Sequence, residues 1–292
     1  MIYTSTSVVT FDGQEHHGAS EDELTYPTSY MCPYIETKTI AEQLVLSYDG
    51  RRLAQPCRTD EPLALSSSEE LLRASLPDEL LTCAIRPCGQ IYGPGDLLSL
   101  RYLPALARVR SCHDSVKSEA TYVENAAFAH ICAFQGLMRA WNAVEQQRSE
   151  ASIATDSTDA DAEQHQQQQQ QQHQAGASGK RPPRGRAYFI TDDCGPTNMN
   201  ERTEVMLSAC GMPMPKWTVP PLLLLLFAYL CELIGNVVNR FYEWQPPVNY
   251  YSAMSVVTHQ YHSCERAKKE IGYVALCKGE RAREVRHLDV ID

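Results

Sequence analysis

The sequence from residue 33 to residue 46 reads PYIETKTIAEQLVL, and the interpretation of the whole chain starts from it. Pro33 suits the first turn of an α-helix, where a missing backbone N–H costs no hydrogen bond. Apolar residues follow at helical spacing, and Gly50 supplies a stop signal. The pattern therefore predicts an amphipathic helix over residues 33–49.

Tyr34 and Lys38 stand one helical turn apart in this predicted helix, so their side chains share one face. A positive charge beside a phenol favours the phenolate, and a phenolate can act as a general base towards an alcohol. A Tyr-x-x-x-Lys pair also occurs by chance on many helix surfaces. Its interpretation therefore depends on the sequence to either side.

Residues 1–9 read MIYTSTSVV, a strand pattern with several hydroxyl side chains, and we predict a strand over residues 1–10. A second strand is predicted over residues 80–85, ended by Arg86 and Pro87 because proline cannot donate to a strand ladder. The segment IYGPGD follows at 91–96. Three more motifs come later in the chain: TYVEN at 121–125 with His130, AYFITD at 187–192, and CERAKKEIGY at 264–273.

This order of motifs resembles the extended short-chain dehydrogenases, and most of all the 3β-hydroxysteroid dehydrogenase/isomerase family in its 42E branch. The resemblance implies an α/β fold: the C-terminal part of a Rossmann-like doubly wound domain, with a small α+β substrate-side region and a hydrophobic helix. The boundaries that we expect are a catalytic remnant over 1–145, a disordered Gln-rich insert over 146–186 and the substrate-side region over 187–292.

The resemblance also implies roles for residues in the site. Tyr34 would be the base, Lys38 would favour its phenolate and hold the cofactor ribose, and Thr6 would orient the substrate oxygen, with Ser5 as the alternative. The implied cofactor is NAD or NADP, and the implied substrate is a sterol-like alcohol. Residues expected along the cofactor are Tyr34, Lys38, Pro87, Gly89 and Ile91. Three residues, 88–90, separate Arg-Pro from IYGPG, where the family usually has two.

The glycine-rich turn that grips a dinucleotide pyrophosphate does not occur in residues 1–292. We therefore expect the chain to be truncated relative to the family and to bind NAD or NADP weakly. An alternative from another class is a catalytically inactive family member that binds a lipid or a partner chain. A homo-oligomer, or a partner chain that completes the site, is also expected.

The composition limits other functions. The net charge of −10 argues against nucleic-acid binding. The 11 cysteines include no C-x-x-C pair, which is typical of reduced thiols, and no signal peptide is expected at the first residues. No metal site is predicted: the neighbours His16 and His17 should face apart on a strand, and the H-x-x-H-x-C spacing of His259, His262 and Cys264 is better explained by the family motif.

Two segments lack the usual globular pattern. Residues 145–186 are rich in Gln and polar residues and end in KRPPRGR, which predicts disorder and a solvated linker. Residues 219–242 contain an apolar run shorter than the roughly 20 residues of a membrane span, with Arg240 and Tyr242 close behind. Either membrane attachment or a buried core helix explains this run. The expected location is the cytosolic side of a membrane such as the endoplasmic reticulum, or the cytoplasm.

Overall fold

The structure, a computed structural model, describes residues 1–52, 79–96, 110, 115–156, 182–244 and 246–278. Residues 53–78 and 97–109 lie outside the described residues. The described strands are β1 (Ile2–Thr4), β2 (His16–Ala19), β3 (Cys83–Pro87), β4 (Gln90–Tyr92), β5 (Lys117–Ser118), β6 (Ala120–Tyr122), β7 (Arg186–Ile190), β8 (Thr197–Asn198) and β9 (Gln260–His262). The described helices are α1 (Pro33–Ser47), α2 (Val123–Asp156), α3 (Met199–Ala209), α4 (Pro221–Val238), α5 (Tyr250–Val257) and α6 (Glu265–Glu270).

A parallel sheet in the order β1-β3-β7 forms the centre of the fold. Ile85 of β3 pairs with Thr4 on one side and with Tyr188 on the other. Alternate residues of a strand face opposite sides of its sheet. Ile85 accordingly joins the core with α2, whereas Arg86 reaches Glu42 of α1. Helices therefore cover both faces, and the predicted α/β class with a Rossmann-like doubly wound sheet is confirmed.

The main hydrophobic core lies between this sheet and helices α2 and α6. Parallel strands that are buried on both faces require such apolar layers. The core side chains are Leu81, Cys83, Ile85, Ala129, Cys132, Ala133, Leu137, Tyr188, Ile190, Ala267, Ile271, Tyr273 and Ala275. Small residues of α2 in this set let the helix lie close to the strands.

The two predicted strand boundaries around the sheet need correction. The chain leaves β1 after Thr4 and forms a 3₁₀ turn over Ser7–Thr10, which the hydroxyl of Thr6 caps by accepting from the N–H of Val8. Hydroxyl side chains compete in this way with strand pairing. The second strand includes Pro87 and does not end before it.

Pro87 is tolerated because of where its nitrogen faces. The N–H of Cys83 donates towards β1, to the carbonyl of Met1, and the N–H of Cys88 donates towards β7, to the carbonyl of Ile190. By alternation, the nitrogen of Pro87 faces the β1 side, beyond the end of β1 at Thr4. Its missing N–H therefore removes no hydrogen bond with β1.

Two smaller sheets complete the substrate side. The first has the order β2-β9-β5-β8, and its β2 and β9 run parallel; the second pairs β4 with β6 in parallel. The N–H of His16 donates to the carbonyl of His259, which joins the two distant segments. His16 is buried and its neighbour His17 is exposed, because neighbouring residues of a strand face opposite sides.

Helix α4 contains 18 residues and is long and apolar enough to cross a membrane, by length and composition. Only 17% of it is buried within the structure. Leu222, Leu226 and Leu230 are among the exposed apolar side chains, and Phe241 and Tyr242 are exposed just after the helix. This exposure does not fit the alternative of a buried core helix. The N–H of Tyr250 donates to Glu232 and holds α5 against α4.

Candidate functional site

Lys38 fixes helix α1 to the carboxyl end of β1. Its Nζ donates to the carbonyl oxygen of Thr4 at 2.9 Å and lies 4.9 Å from the centre of the Tyr3 ring. Tyr34, one turn earlier on the same helix, is 51% exposed. The Tyr-x-x-x-Lys pair therefore stands at the edge of the sheet where parallel α/β folds bind ligands.

Thr4 also connects the helix pair to His130 of α2. Nδ1 of His130 lies 2.7 Å from the carbonyl of Ala126, which can only accept. Nδ1 therefore carries the proton, and Nε2 accepts from the Thr4 hydroxyl at 2.8 Å. Thr4 was not among the site residues predicted from the sequence. The signal that could have identified it is its hydroxyl at the last position of a strand whose carboxyl end was predicted to face the ligand.

Thr6 and Ser5 lie just beyond the same strand end and differ in how their hydroxyls are used. The Thr6 hydroxyl caps the 3₁₀ turn at a distance of 3.5 Å from the Val8 nitrogen. Ser5 is 5% exposed, and its Oγ has no hydrogen-bond partner among the described residues. Both hydroxyls can donate and accept, so both can serve a substrate oxygen.

The turn after β3 carries the remaining predicted cofactor residues. Pro87 is buried, and Ile91 in β4 is 42% exposed. Gly89 adopts a φ of +64°, and an added Cβ there would lie 1.8 Å from the carbonyl oxygen of Glu119. Its N–H donates to the Ser7 hydroxyl at 3.4 Å. The backbone at Gly89 thus packs so closely against Glu119 that only glycine fits there.

A buried ionic cluster lies between α1 and β3. The guanidinium of Arg86 bonds both carboxylate oxygens of Glu42, and the Tyr26 hydroxyl donates to Glu42 at 2.6 Å. Burial and the neighbouring carboxylate of Glu42 raise the pKa of Tyr26, which keeps it a neutral donor. From the sequence, Arg86 was predicted only to end a strand, and its ion pair with Glu42 was not predicted.

Two motifs from the sequence meet in a second buried network. The amide nitrogen of Asn125 donates to Asp192 at 2.7 Å, and Asp192 also accepts from the N–H of Tyr122 and the hydroxyl of Tyr92. The amide oxygen of Asn125 accepts from the N–H groups of Leu276 and Cys277. Asn125 is fully buried, and these bonds satisfy its side chain. The motifs TYVEN and AYFITD therefore form a buried hydrogen-bond network that holds these segments together.

A cavity of about 460 Å³ lies beside the carboxyl end of β7. Residues from the end of β7, from α3 and from the β9–α6 region line it, among them Glu119, Asp192, Glu204, His262 and Lys268. None of the predicted catalytic or cofactor residues is among those that line it. The cavity is thus a separate feature from the Tyr34–Lys38 edge.

Three side chains that could hold a metal converge beside this cavity. One ligand atom each of Cys88, Glu119 and His262 lies within 4.8 Å of the other two. Nδ1 of His262 is 2.6 Å from a carboxylate oxygen of Glu119. Burial, and then the charge and hydrogen bond of Glu119, raise the pKa of the Cys88 thiol well above its usual value.

The histidines and the cysteine that the sequence spacing suggested do not form this group. Nδ1 of His259 accepts from the N–H of Lys117, and the sulfur of Cys264 lies beside Asp193. Only His262 of that H-x-x-H-x-C segment takes part. Glu119 and His262 are 143 positions apart, so no local spacing could indicate their approach.

The sequence matches a family model over residues 1–65 and 58–152, just over half of the chain, and that model describes the 3-beta hydroxysteroid dehydrogenase/isomerase family. The chain belongs to this family. The family is one of NAD(P)-dependent oxidoreductases.

Individual relatives agree with the family assignment. The chain is 30% identical over 275 residues to short-chain dehydrogenase/reductase family 42E member 1 of Danio rerio, covering 94% of this chain and 57% of that protein. It is 26% identical over 278 residues to 3beta-hydroxysteroid-dehydrogenase/decarboxylase isoform 2 of Arabidopsis thaliana, covering 94% and 38%. The chain thus spans little more than half the length of the first relative.

Solved structures support the fold. An epimerase from Methanothermobacter thermautotrophicus superposes with a TM-score of 0.52 at 10% identity, covering 98% of this chain and 57% of that one. At this identity the similarity concerns the Rossmann-like fold alone.

Proposed function

We propose that residues 1–292 form the nicotinamide- and substrate-facing part of a 3β-hydroxysteroid dehydrogenase-like oxidoreductase that acts on a sterol-like alcohol. The single observation that carries this proposal is the 2.9 Å contact from Lys38 Nζ to the Thr4 carbonyl. It brings the Tyr-x-x-x-Lys pair to the carboxyl end of β1, next to the hydroxyls of Ser5 and Thr6. Family membership supplies the class of reaction.

The residues at this edge fit the nicotinamide end of NAD or NADP. Lys38 is a cation whose family role is to hold the ribose, and the backbone of residues 87–91 offers a wall against which a flat ring can lie. The buried Oγ of Ser5, which lacks a partner among the described residues, is a polar atom that a bound amide or alcohol would satisfy. Bound there, NAD or NADP would supply the hydride acceptor for the carbinol carbon.

Each protein group has a stated part in the proposed reaction. Tyr34 takes the hydroxyl proton of the alcohol, and Lys38 holds the cofactor ribose. Thr6 or Ser5 donates to the substrate oxygen and holds it near Tyr34. These roles need only positioning and proton transfer from the protein, since the redox chemistry belongs to the cofactor.

A membrane setting fits an apolar substrate. The exposed leucines of α4, with Phe241 and Tyr242 after it, support attachment to a lipid surface. The outer edge of β1 pairs with no strand among the described residues. That edge supports a partner chain or a second copy as the element that completes the sheet.

Saturation-transfer NMR with NAD⁺ tests the proposal because it detects weak binding and reports which part of the ligand touches the protein. We expect transfer to the nicotinamide protons and little to the adenine protons, with the nicotinamide signal lost in Lys38→Met. Lys117→Met, on the other sheet, is the matched control and should keep the signal. Transfer to the adenine protons alone would contradict the proposal and favour the non-catalytic alternative. A nicotinamide signal that is unchanged in Lys38→Met would do the same.

Turnover is the second readout. If the complete site is supplied by a partner, oxidation of a 3β-hydroxysteroid should fall by about 10²-fold or more in Tyr34→Phe, the usual scale of a lost general base. Tyr48→Phe, at the residue that follows the same helix, removes another tyrosine hydroxyl and should leave the rate unchanged.

A further inference from the structure

We propose that Cys88, Glu119 and His262 bind a zinc ion beside the substrate-side cavity. The three residues come from three separate segments: the turn after β3, the link between β5 and β6, and the end of β9. Their ligand atoms lie within 4.8 Å of one another. Ligands of one tetrahedral zinc ion are separated by about 3.5 Å, given bond lengths of about 2.0–2.3 Å. Side-chain adjustments of about 1 Å would therefore bring all three onto one ion.

Burial sets this group apart from an ordinary surface cluster. Cys88 is fully buried, and the side chains of Glu119 and His262 are 8% and 2% exposed. Nε2 of His262 is buried and has no hydrogen-bond partner among the described residues. The ring nitrogen that faces the Glu119 carboxylate is Nδ1, at 2.6 Å, and Nδ1 is the atom that would ligate an ion.

The donor set selects the kind of ion. A thiolate, an imidazole and a carboxylate together suit zinc, whereas calcium and magnesium take oxygen ligands. A divalent ion would place positive charge between the Cys88 sulfur and the Glu119 carboxylate and so stabilise both as ligands.

The site has an entry path and room for a fourth ligand. Glu119 and His262 both line the cavity of about 460 Å³, while Cys88 lies behind them. Three protein ligands with a fourth position open to a cavity is the arrangement of zinc sites that bind water or a further ligand. The ion would also tie the central sheet to the substrate-side sheet, since Cys88 follows β3 and His262 ends β9.

The experiment titrates the full chain with Co²⁺, whose thiolate charge-transfer band and visible transitions report sulfur ligation and geometry. We expect one equivalent to bind with a thiolate band, and we expect Cys88→Ser and His262→Gln to lose it. Cys264→Ser and His259→Gln are matched controls that alter the same two residue types nearby and should keep it. A Cys194→Ser/Cys210→Ser variant removes two exposed thiols and should also keep it.

A measurement on the unaltered chain guards against variants that do not fold. X-ray absorption of the zinc-loaded protein should show one sulfur at about 2.3 Å and nitrogen or oxygen neighbours at about 2.0–2.1 Å. A first shell without sulfur, or with several sulfurs, overturns the proposal. A cobalt thiolate band that persists in Cys88→Ser also overturns it. So does a titration in which the unaltered chain takes up no more cobalt than Cys88→Ser. The dehydrogenase proposal is not touched by any of these outcomes, because none of them involves Tyr34 or Lys38.

Discussion

Arg86 of β3 and Glu42 of α1 form a buried ion pair in which Nε of the arginine lies 3.1 and 3.0 Å from the two carboxylate oxygens. The side chains are 6% and 0% exposed. The pair sets the position of α1 on the sheet, and with it the position of Tyr34 and Lys38 on the same helix.

Removing one partner of this pair should destabilise the fold strongly. Arg86→Met or Glu42→Gln leaves a buried charge without its counterpart, which costs about 3–5 kcal/mol. Urea unfolding should show this as a lower midpoint for each variant. The double variant Arg86→Met/Glu42→Met should lose less than the two single changes added together. Glu36→Gln, an exposed change on the same helix, is the control, and an effect of equal size there would contradict the burial argument.

Gly89 and Gly95 provide a matched test of close packing in the turn after β3. Both adopt positive φ, but a Cβ at Gly89 meets the Glu119 carbonyl at 1.8 Å, whereas one at Gly95 has no atom within 4 Å. Gly95→Ala should cost about 1–2 kcal/mol from backbone strain alone. Gly89→Ala should cost clearly more in the same denaturation experiment. Equal losses would mean that Glu119 is not packed against this turn.

The chain should bind NAD⁺, NADH and NADPH more weakly than micromolar. Affinity for a dinucleotide comes largely from a glycine-rich turn and a helix N-terminus at the pyrophosphate, and no such turn occurs in residues 1–292. Isothermal titration of the full chain measures this directly. Micromolar binding together with turnover that Tyr34→Phe abolishes would show that this prediction is wrong.

The Gln-rich segment should be dispensable for stability. Its composition predicts no packed core, and it falls mostly outside the described residues. The structure describes its flanks: α2 continues to Asp156, and Arg184 pairs with Asp49 and Glu79. Deleting 157–181 should therefore leave the melting temperature unchanged within error. Arg184→Ala should lower it, and a comparable fall on deletion would show that the segment packs against the body.

Helix α4 should carry the protein to membranes without a secure span. Leu226→Glu/Leu230→Glu places charges on its exposed apolar surface and should shift the protein to the soluble fraction after cell fractionation. Leu44→Glu, equally exposed on α1, should not. A high-pH wash should release the unaltered protein, as expected for a helix lying in the interface. Recovery of the unaltered protein only in the soluble fraction before any wash would refute attachment.

Local patterns predicted the regular elements well. The helix predicted at 33–49 is α1 (Pro33–Ser47), and the strand predicted at 80–85 overlaps β3 (Cys83–Pro87). Each has an apolar period and a stop signal within its own residues. Strand ends were less predictable. Pro87 is tolerated within β3 because β1, its neighbour in the sheet, ends at Thr4, and the sequence around Pro87 does not indicate this.

Contacts between distant segments could not be predicted. Nothing local to Arg86 indicates Glu42, and nothing local to Cys88 indicates Glu119 or His262. Such contacts depend on the register of the three sheets and on buried charge, which a single sequence does not reveal. The placement of Lys38 beside Thr4 was more predictable, because the family resemblance already associated this helix with the end of the first strand.

The parallel pairing of β2 with β9 has a consequence for how the protein forms in the cell. His16 pairs with Gln260, so the second sheet cannot assemble until some 244 further residues have left the ribosome. At about 5–20 residues per second, synthesis of that stretch takes roughly 12–50 seconds. The β1-β3-β7 sheet has all its strands once residue 190 has been synthesised. Until β9 has been synthesised, β2 lacks the strand with which it pairs. Nascent chains should therefore rely on chaperones at the N-terminal segment, and slow translation before residue 260 should lower the yield of folded protein.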